Sequence, residues 1–271
     1  MIDEPNEMKV LDHGFVRLVD VMGDDARIVQ AARVSYGEGT KTIREDAALI
    51  DYLMRHAHTS PFEMVEFTVH LKMPLFVAAQ HQRHRTASVN QISARYSEMP
   101  DEFYVPELDR IQAQSTTNKQ GSEEGVSQSA KELFRYYTEE AKERAYSVYQ
   151  VQLKEHGIAR ELARINLPQN LYTEMYWKID LHNLFHYLAL RMDSHAQYEI
   201  RVYAKAMAAF VQLHCPVAYK AFVEHRLNAK RFSASELVLL RQLVDLERLE
   251  ELAKESGLRK SRVAELLEKL K

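Results

Sequence analysis

The chain has 271 residues, a formal net charge of -3, 46% hydrophobic and 28% charged residues, and one cysteine, Cys215. That balance fits a soluble protein with a real core and argues against a general electrostatic attraction to nucleic acid or anionic membrane. A single cysteine excludes an intrachain disulfide framework and a multi-cysteine metal cage, and no apolar run reaches the roughly 18 residues of a membrane span. The first residues, MIDEPNEMKV, lack the cationic-then-apolar order of a secretory signal, so a cytoplasmic, reducing location is the expectation. Glycine and proline are few, which favours helix.

In chain order, Gly14 to Met22 reads as a strand by its β-branched content and its opening alternation. DDARIVQAARVSY then has helical spacing, with Asp24 or Asp25 as N-cap. Arg44 to His58 reads as an amphipathic helix, with Ala47, Leu49, Ile50, Leu53 and Met54 on one side. Met64 to Met73 alternates: Val65, Phe67, Val69 and Leu71 face one way, and Glu66, Thr68, His70 and Lys72 the other. That is a half-buried strand. Pro74 suits the first turn of a following helix, PLFVAAQHQRHR. Ser115 to Ser129 is polar and aperiodic, the pattern of a mobile loop. Long helices are expected over Ala130–His156, up to Pro168, and roughly from Asp180 to His214. From about Arg231 the chain is nearly all leucine and charge at helical spacing, a separate appendage. Ala253, Gly257 and Val263 there have the spacing of a helix-turn-helix, with Arg259, Lys260 and Arg262 opening the second helix. A plain helical hairpin explains the same residues, because glycine is also the common helix C-cap. The expectation for the tail is a structural clamp on an oligomer, and nucleic acid is not an expected partner.

Three constellations could carry chemistry. On the helix before Arg85, Gln80, Arg83 and His84 share a face. Arg83, Arg85 and Arg95 offer forked donors that match phosphate oxygens, and Ser88, Asn90, Gln91 and Ser93 can hydrogen-bond an anion or a heterocycle. Any one of these residues could belong to a solvated helix end. The whole run RHRTASVNQISARY is not needed by such an end. In LALRMDSHAQYE, Arg191 and His195 lie one helical turn apart in an apolar segment. Two readings stand for Arg191: a structural ion pair, or a guanidinium aimed into a cleft at an anionic or ionising ligand. Arg160 and Arg164 form the third group, of which Arg160 reads as a solvated helix charge. The histidines, including His182 and His186, do not fall into HExxH or a comparable spacing, so no metal is expected. No Walker loop and no GxGxxG is present, so a bound nucleotide or flavin would not use a P-loop or Rossmann cradle.

RHRTASVNQISARY resembles the signature of the flavin-dependent thymidylate synthases, RHRxxSxNExSxRY. The resemblance extends through GFVRLVDVMG, AARVSY, HTSPFE, ELARINLP and LRMDSHAQYE, and covers roughly Met8 to His225. It implies C5 methylation of dUMP by 5,10-methylenetetrahydrofolate, with reduced FAD supplying the hydride and NADPH reducing the flavin. It also implies a homotetramer with active sites formed between subunits. By position it assigns dUMP contacts to Gln80, Arg83, Gln91, Ile92, Ser93, Ala94, Arg95, Arg164 and Arg191. It assigns FAD contacts to Ser60, Arg83, His84, Arg85, Gln91, Asp180, Leu181, His182 and His186. Arg191 matches the residue that favours ionisation at uracil N3, and His58 matches a histidine near methyl transfer. Gln91 departs from the usual Glu, and His182 and His186 stand where Arg and Asn are common. The implied architecture is an α+β subunit, an antiparallel sheet flanked by long helices, over 1–230, with a helical extension over 231–271. Two rivals are a DNA-binding regulator using the tail and the RHR run, and a nucleotide-binding relic that lost turnover through Gln91.

Overall fold

A computed structural model describes residues 6–34, 43–116 and 121–270. Ser35 and Tyr36 of the AARVSY segment lie outside the described residues. β1 (Glu7–Val10) and β2 (Gly14–Met22) form a hairpin. Asp24 caps α1 (Asp25–Arg33), its carboxylate accepting the Arg27 N–H at 3.1 Å. α2 spans Ile43–Arg55, so it stops three residues before the expected His58. The stop is a left-handed cap: Ala57 has φ 57°, its N–H donates to the Met54 carbonyl, and the His58 N–H donates back to the Leu53 carbonyl at 2.9 Å. His58 therefore begins the exit turn and does not cap with its side chain.

β3 (Glu66–Pro74) runs into α3 (Leu75–His81), with Pro74 as the residue before the first helical turn. α3 ends at His81, earlier than the expected Arg85. Arg83 and His84 thus lie past the helix, and the shared helical face with Gln80 does not form. β4 (Ser88–Gln91) follows. β5 (Ala113–Gln114) pairs with β6 (Ser122–Glu123), and Ser127 caps α4 (Gln128–Lys154). The stretch read as a loop over 115–129 is therefore part hairpin and part helix start; residues 117–120 lie outside the described residues. α5 is only Arg160–Ala163, continued by a 3-10 turn, Arg164–Asn166. β7 (Tyr172–Asp180) leads into α6 (Leu181–Arg191). The helix expected from Asp180 to His214 is in fact two, α6 and α7 (Tyr198–His214), broken over 192–197. α8 (Pro216–Phe222) and a π-helical turn, Val223–Leu227, complete this unit.

The sheet order is β1-β2-β3-β7-β4, antiparallel throughout. This is the antiparallel α+β architecture that was expected. One face is apolar: Val65, Phe67, Val69, Leu71 and Met73 from the β3 segment meet Met175, Trp177 and Ile179 of β7, all at most 3% exposed. Helices α3, α6 and α7 lie over that face. Burying side chains of this size contributes roughly 1.5–3 kcal/mol each, so this interface dominates the unit's stability. Gly14 is required by the packing. A Cβ there would collide with the Tyr203 hydroxyl and lie 2.6 Å from the Val10 carbonyl. Tyr203 needs that place because its hydroxyl donates to the Lys72 carbonyl at 2.6 Å, tying α7 to β3. The opposite sheet face is polar, with Lys178 paired to Glu66 at 3.1 Å and His70 to Glu174 at 2.9 Å. A smaller core of Met99, Phe103, Tyr149, Ala163 and Leu171 joins α4 and α5 to the segment after β4.

The chain divides into two compact units, Met1–Leu227 and Asn228–Lys271. The second holds α9 (Ala234–Leu243), α10 (Leu246–Glu255) and α11 (Lys260–Leu270).

Candidate active site

Three breaks in regular structure bring the functional side chains to the surface of the first unit: the end of α3, the end of α6 and the exit from α2. At the first two, Arg191, the last residue of α6, points back toward the chain leaving α3. Its Nε donates to His84 Nε2 at 3.0 Å and its Nη2 donates to the Gln80 carbonyl at 3.4 Å. The Nε–H requires a lone pair on His84 Nε2, so His84 is the neutral, Nδ1-protonated form. Burial, the Arg191 charge and nearby His186 all push His84 down to a pKa of about 4. Beneath it His81 is fully buried and pushed down to about 3, chiefly by desolvation. His81 Nδ1 lies 3.2 Å from the Tyr187 hydroxyl, and its ring sits against Trp177 and Tyr187. His84 also packs edge-on to Tyr187 at 4.8 Å between ring centroids. Arg191 therefore stands on a neutral, aromatic floor. No carboxylate pairs with it among the described residues, where the structural ion pair is therefore not formed. The Gln80 side chain bonds Gln197, across the break between α6 and α7. His195 is not one helical turn from Arg191: it lies in that break and bonds Asp193 at 2.7 Å.

Residues 91–95 form a second group with Arg164. Gln91, Ile92, Ala94, Arg164, Leu167 and Thr173 are among the walls of an open cleft of about 210 Å³. Gln91 is fixed at both ends of its amide. Its Oε1 accepts from Gln82 Nε2 at 2.7 Å, and its Nε2 donates to Thr173 Oγ1 at 2.8 Å. The Ser93 hydroxyl accepts the Arg95 N–H at 3.3 Å, and the exposed Arg95 guanidinium pairs with Glu161 at 3.3 Å. Arg83, Arg85 and Arg164 are exposed, and none has an ion pair among the described residues. Among the described residues no hydrogen bond joins Arg164 to Arg191, and Arg191 is not among the walls of the Arg164 cleft.

The third group is the exit from α2. His58 and Ser60 are exposed, and the His58 ring stands edge-on to Tyr52 at 5.7 Å. Asp180 is occupied as the N-cap of α6, accepting from the Asn183 N–H at 2.9 Å and from Asn183 Nδ2 at 2.7 Å. His182 and His186 lie one turn apart on α6, and the His186 ring is 6.0 Å from that of His84.

Sequence reasoning missed Gln82, Thr173, Gln197, His81 and Tyr187 as parts of these groups. Only His81 carried a signal, as a histidine in an apolar helix beside Arg83. Thr173 depends on β7 pairing with β4, which places it near Gln91, and Tyr187 and Gln197 depend on α6 and the break after it lying beside α3. Among the described residues no group of three or more His, Cys, Asp or Glu could hold a metal ion, and no helix is long and apolar enough to cross a membrane.

Residues 17–217 match the family described as thymidylate synthase complementing protein. The chain is 57% identical over 270 residues to a flavin-dependent thymidylate synthase of Thermus thermophilus, covering 99% of this chain and 97% of that protein. It is 54% identical over 266 residues to the Treponema denticola enzyme of the same name, covering 98% and 97%. Among solved structures, a UMP/dUMP methylase, PolB of Streptomyces cacaoi bound with 5-Br dUMP, superposes with a TM-score of 0.73 at 33% identity, covering 81% of this chain and 99% of that one. With the family match over residues 17–217, relatives more than half identical over nearly the whole chain and the antiparallel sheet in place, the chain belongs to the flavin-dependent thymidylate synthases.

Proposed function

We propose that this protein converts dUMP to dTMP, taking the one-carbon unit from 5,10-methylenetetrahydrofolate, with FAD as hydride carrier and NADPH as its reductant. The observation that carries the proposal is the Arg191 guanidinium, held by neutral His84 and the Gln80 carbonyl with no carboxylate paired to it among the described residues. A fixed cation in a partly dry site stabilises the anion that forms when uracil loses its N3 proton, and it needs no rearrangement to do so. Neutral His84 accepts from Arg191 without cancelling its charge. FAD, when bound, supplies the hydride that completes the methyl group. The residues present fit that group. Exposed Arg83 and Arg85 have no acidic partner among the described residues and suit its phosphates, while the rings of His84 and His186 lie beside each other near them.

The roles follow. Gln80, Arg83 and Arg191 hold dUMP at the base end. Gln91, Ser93, Ala94, Arg95 and Arg164 hold its phosphate, with Arg95 exchanging Glu161 for phosphate oxygens. Ser60, Arg83, His84, Arg85, Gln91, His182 and His186 contact FAD, and Asp180 does so through its backbone, since its carboxylate caps α6. His58 lies beside the transferred carbon. The separation of the Arg191 group from the Arg164 cleft supports a homotetramer whose sites take the two groups from different subunits. So do Leu133, Phe134, Tyr136 and Tyr137, all at least 50% exposed on one end of α4. The synthase domain is assigned to 1–230, the helical extension to 231–271, and the location to the cytoplasm.

The test is the visible spectrum under exclusion of oxygen. A flavin spectrum that bleaches with NADPH and returns only when dUMP and methylenetetrahydrofolate are both added is the expected result. A flavin reoxidised by neither substrate would leave the relic reading. A protein that cannot be loaded with FAD would overturn the assignment.

A further inference from the structure

The Asn228–Lys271 unit contains none of the residues assigned to the site above. Its three helices are separately specified. Ser233 and Glu236 cap α9 reciprocally, and Asp245 accepts the N–H groups of Glu247 and Arg248 at 3.0 Å to start α10. α10 closes at Ser256, and the chain turns through Gly257 at φ +77°, a left-handed conformation that a side chain would strain. The Arg259 carbonyl accepts the Val263 N–H at 3.1 Å and opens α11. The buried residues of α10 and α11 are Ala253 and Val263, 5% and 4% exposed. A small residue four before the glycine and an apolar residue six after it are what let a second helix pack closely across the first. α9 packs on α11 as a third helix, with Arg241 Nη2 donating to the Lys269 carbonyl at 3.3 Å.

The outer surface of this motif is cationic at one place. Arg259, Lys260 and Ser261 are exposed and Arg262 half-buried, all at the opening of α11. Glu265 and Glu268 come one and two turns later, so the positive charge is confined to the first turn. Residues 228–271 hold ten Lys and Arg against eight Asp and Glu, a net charge of +2, where the whole chain is at -3. We propose that this unit is a helix-turn-helix that binds duplex DNA, with the first turn of α11 entering the major groove and Arg259, Lys260 and Arg262 contacting phosphates and base edges. The affinity then comes largely from counterion release and depends strongly on salt.

The test uses the full chain and a labelled mixed-sequence duplex of about thirty base pairs, followed by fluorescence anisotropy between about 50 and 200 mM KCl. Excess dUMP is present throughout to fill the nucleotide site. The expected result is binding that weakens as salt rises. Combining Arg259→Ala, Lys260→Ala and Arg262→Ala should weaken it at least tenfold and lower the salt slope by about one per cation removed. Flavin content and dTMP formation should not change, which separates this proposal from the synthase reading. Three results would overturn it: no binding at the lowest salt with dUMP present, equal binding by the triple variant, or tighter binding of a hairpin RNA of matched length than of the duplex. A change in sedimentation of the triple variant with DNA binding intact would instead favour an oligomer clamp, for which the exposed Val238, Leu239 and Leu243 of α9 are available.

Discussion

The corner around Arg191 and the arm from Gln91 to Arg95 carry similar chemistry on opposite principles. At Arg191 the cation is built in. It ends a helix, rests on buried His81, Tyr187 and Trp177, and is held by two acceptors that are both uncharged. Along the arm, and at Arg164 in the cleft beside it, the cations are loose. Arg164 has no acidic partner among the described residues, and Arg95 has only an exposed one, Glu161. A group that stabilises a transient charge must be in place beforehand, because reorganising it costs the rate it would give. A group that binds a permanent phosphate dianion can be ordered by the ligand itself. The difference predicts which substitutions affect turnover and which affect substrate affinity.

The largest effect is expected at the built-in cation. Arg191→Ala should lower kcat by about 10²–10³-fold, the range seen when one preorganised donor is removed. FAD should stay bound, with its absorbance unchanged. Arg191→Lys should not rescue, since an ammonium cannot satisfy His84, Gln80 and a ligand edge together. An active Arg191→Ala enzyme would remove this residue from the mechanism and with it the contrast between the two regions.

Arg164→Ala should act differently. Losing one charge-assisted hydrogen bond of about 1.5–3 kcal/mol raises the KM for dUMP by about 10–100-fold. The kcat at saturating dUMP should hold within a few-fold, which steady-state kinetics over a wide dUMP range would show. Equal losses in kcat for Arg164→Ala and Arg191→Ala would erase the distinction.

The neutral floor can be tested by pH. His81 and His84 are held well below the ordinary histidine range, so the unfolded chain binds more protons than the folded one between about pH 6.5 and pH 4. Stability is therefore fully present above about pH 6.5 and declines as pH falls through that window. Thermal unfolding should show a falling Tm from pH 6.5 downward, and His84→Gln, which keeps an acceptor for Arg191, should make the fall shallower. An unchanged slope would mean that His84 is charged in the folded protein and that Arg191 has another acceptor.

The sequence revealed these regions unequally. The strand alternation of Val65 to Leu71 and the caps at Asp24 and Pro74 were legible because each depends on neighbours in the chain. β7 was not, because outward Tyr176 breaks the apolar-polar alternation and its pairing with β3 is a long-range property. The helix ends were misplaced for a related reason. Arg83, His84 and His195 have helical spacing, but the chain leaves α3 at His81 and α6 at Arg191 to expose these side chains. The site residues themselves were legible through the RHR signature. Their partners Gln82, Thr173 and Gln197 were not, since only the fold brings them near.

The smallest effect is expected at Gln91, where this chain departs from the family signature. Its amide accepts from Gln82 and donates to Thr173. A carboxylate there keeps the first bond, and the second survives if the Thr173 hydroxyl turns to donate, since a hydroxyl can serve either way. Gln91→Glu should therefore leave the cleft intact and change kcat and the KM for dUMP by no more than a few-fold. Gln91→Ala removes both bonds, leaves the largely buried Thr173 hydroxyl unpartnered, and frees the arm at its start. It should raise the KM for dUMP by about tenfold, in line with the cost of about 1–3 kcal/mol for an unsatisfied buried group. The two substitutions differ in whether position 91 needs a charge or a bridge. If Gln91→Glu raised kcat tenfold or more, the carboxylate would have a chemical role and this chain would be working without it. If Gln91→Ala changed nothing, the arm would be ordered by dUMP alone, and its looseness in the free subunit would extend to the residue that is best held.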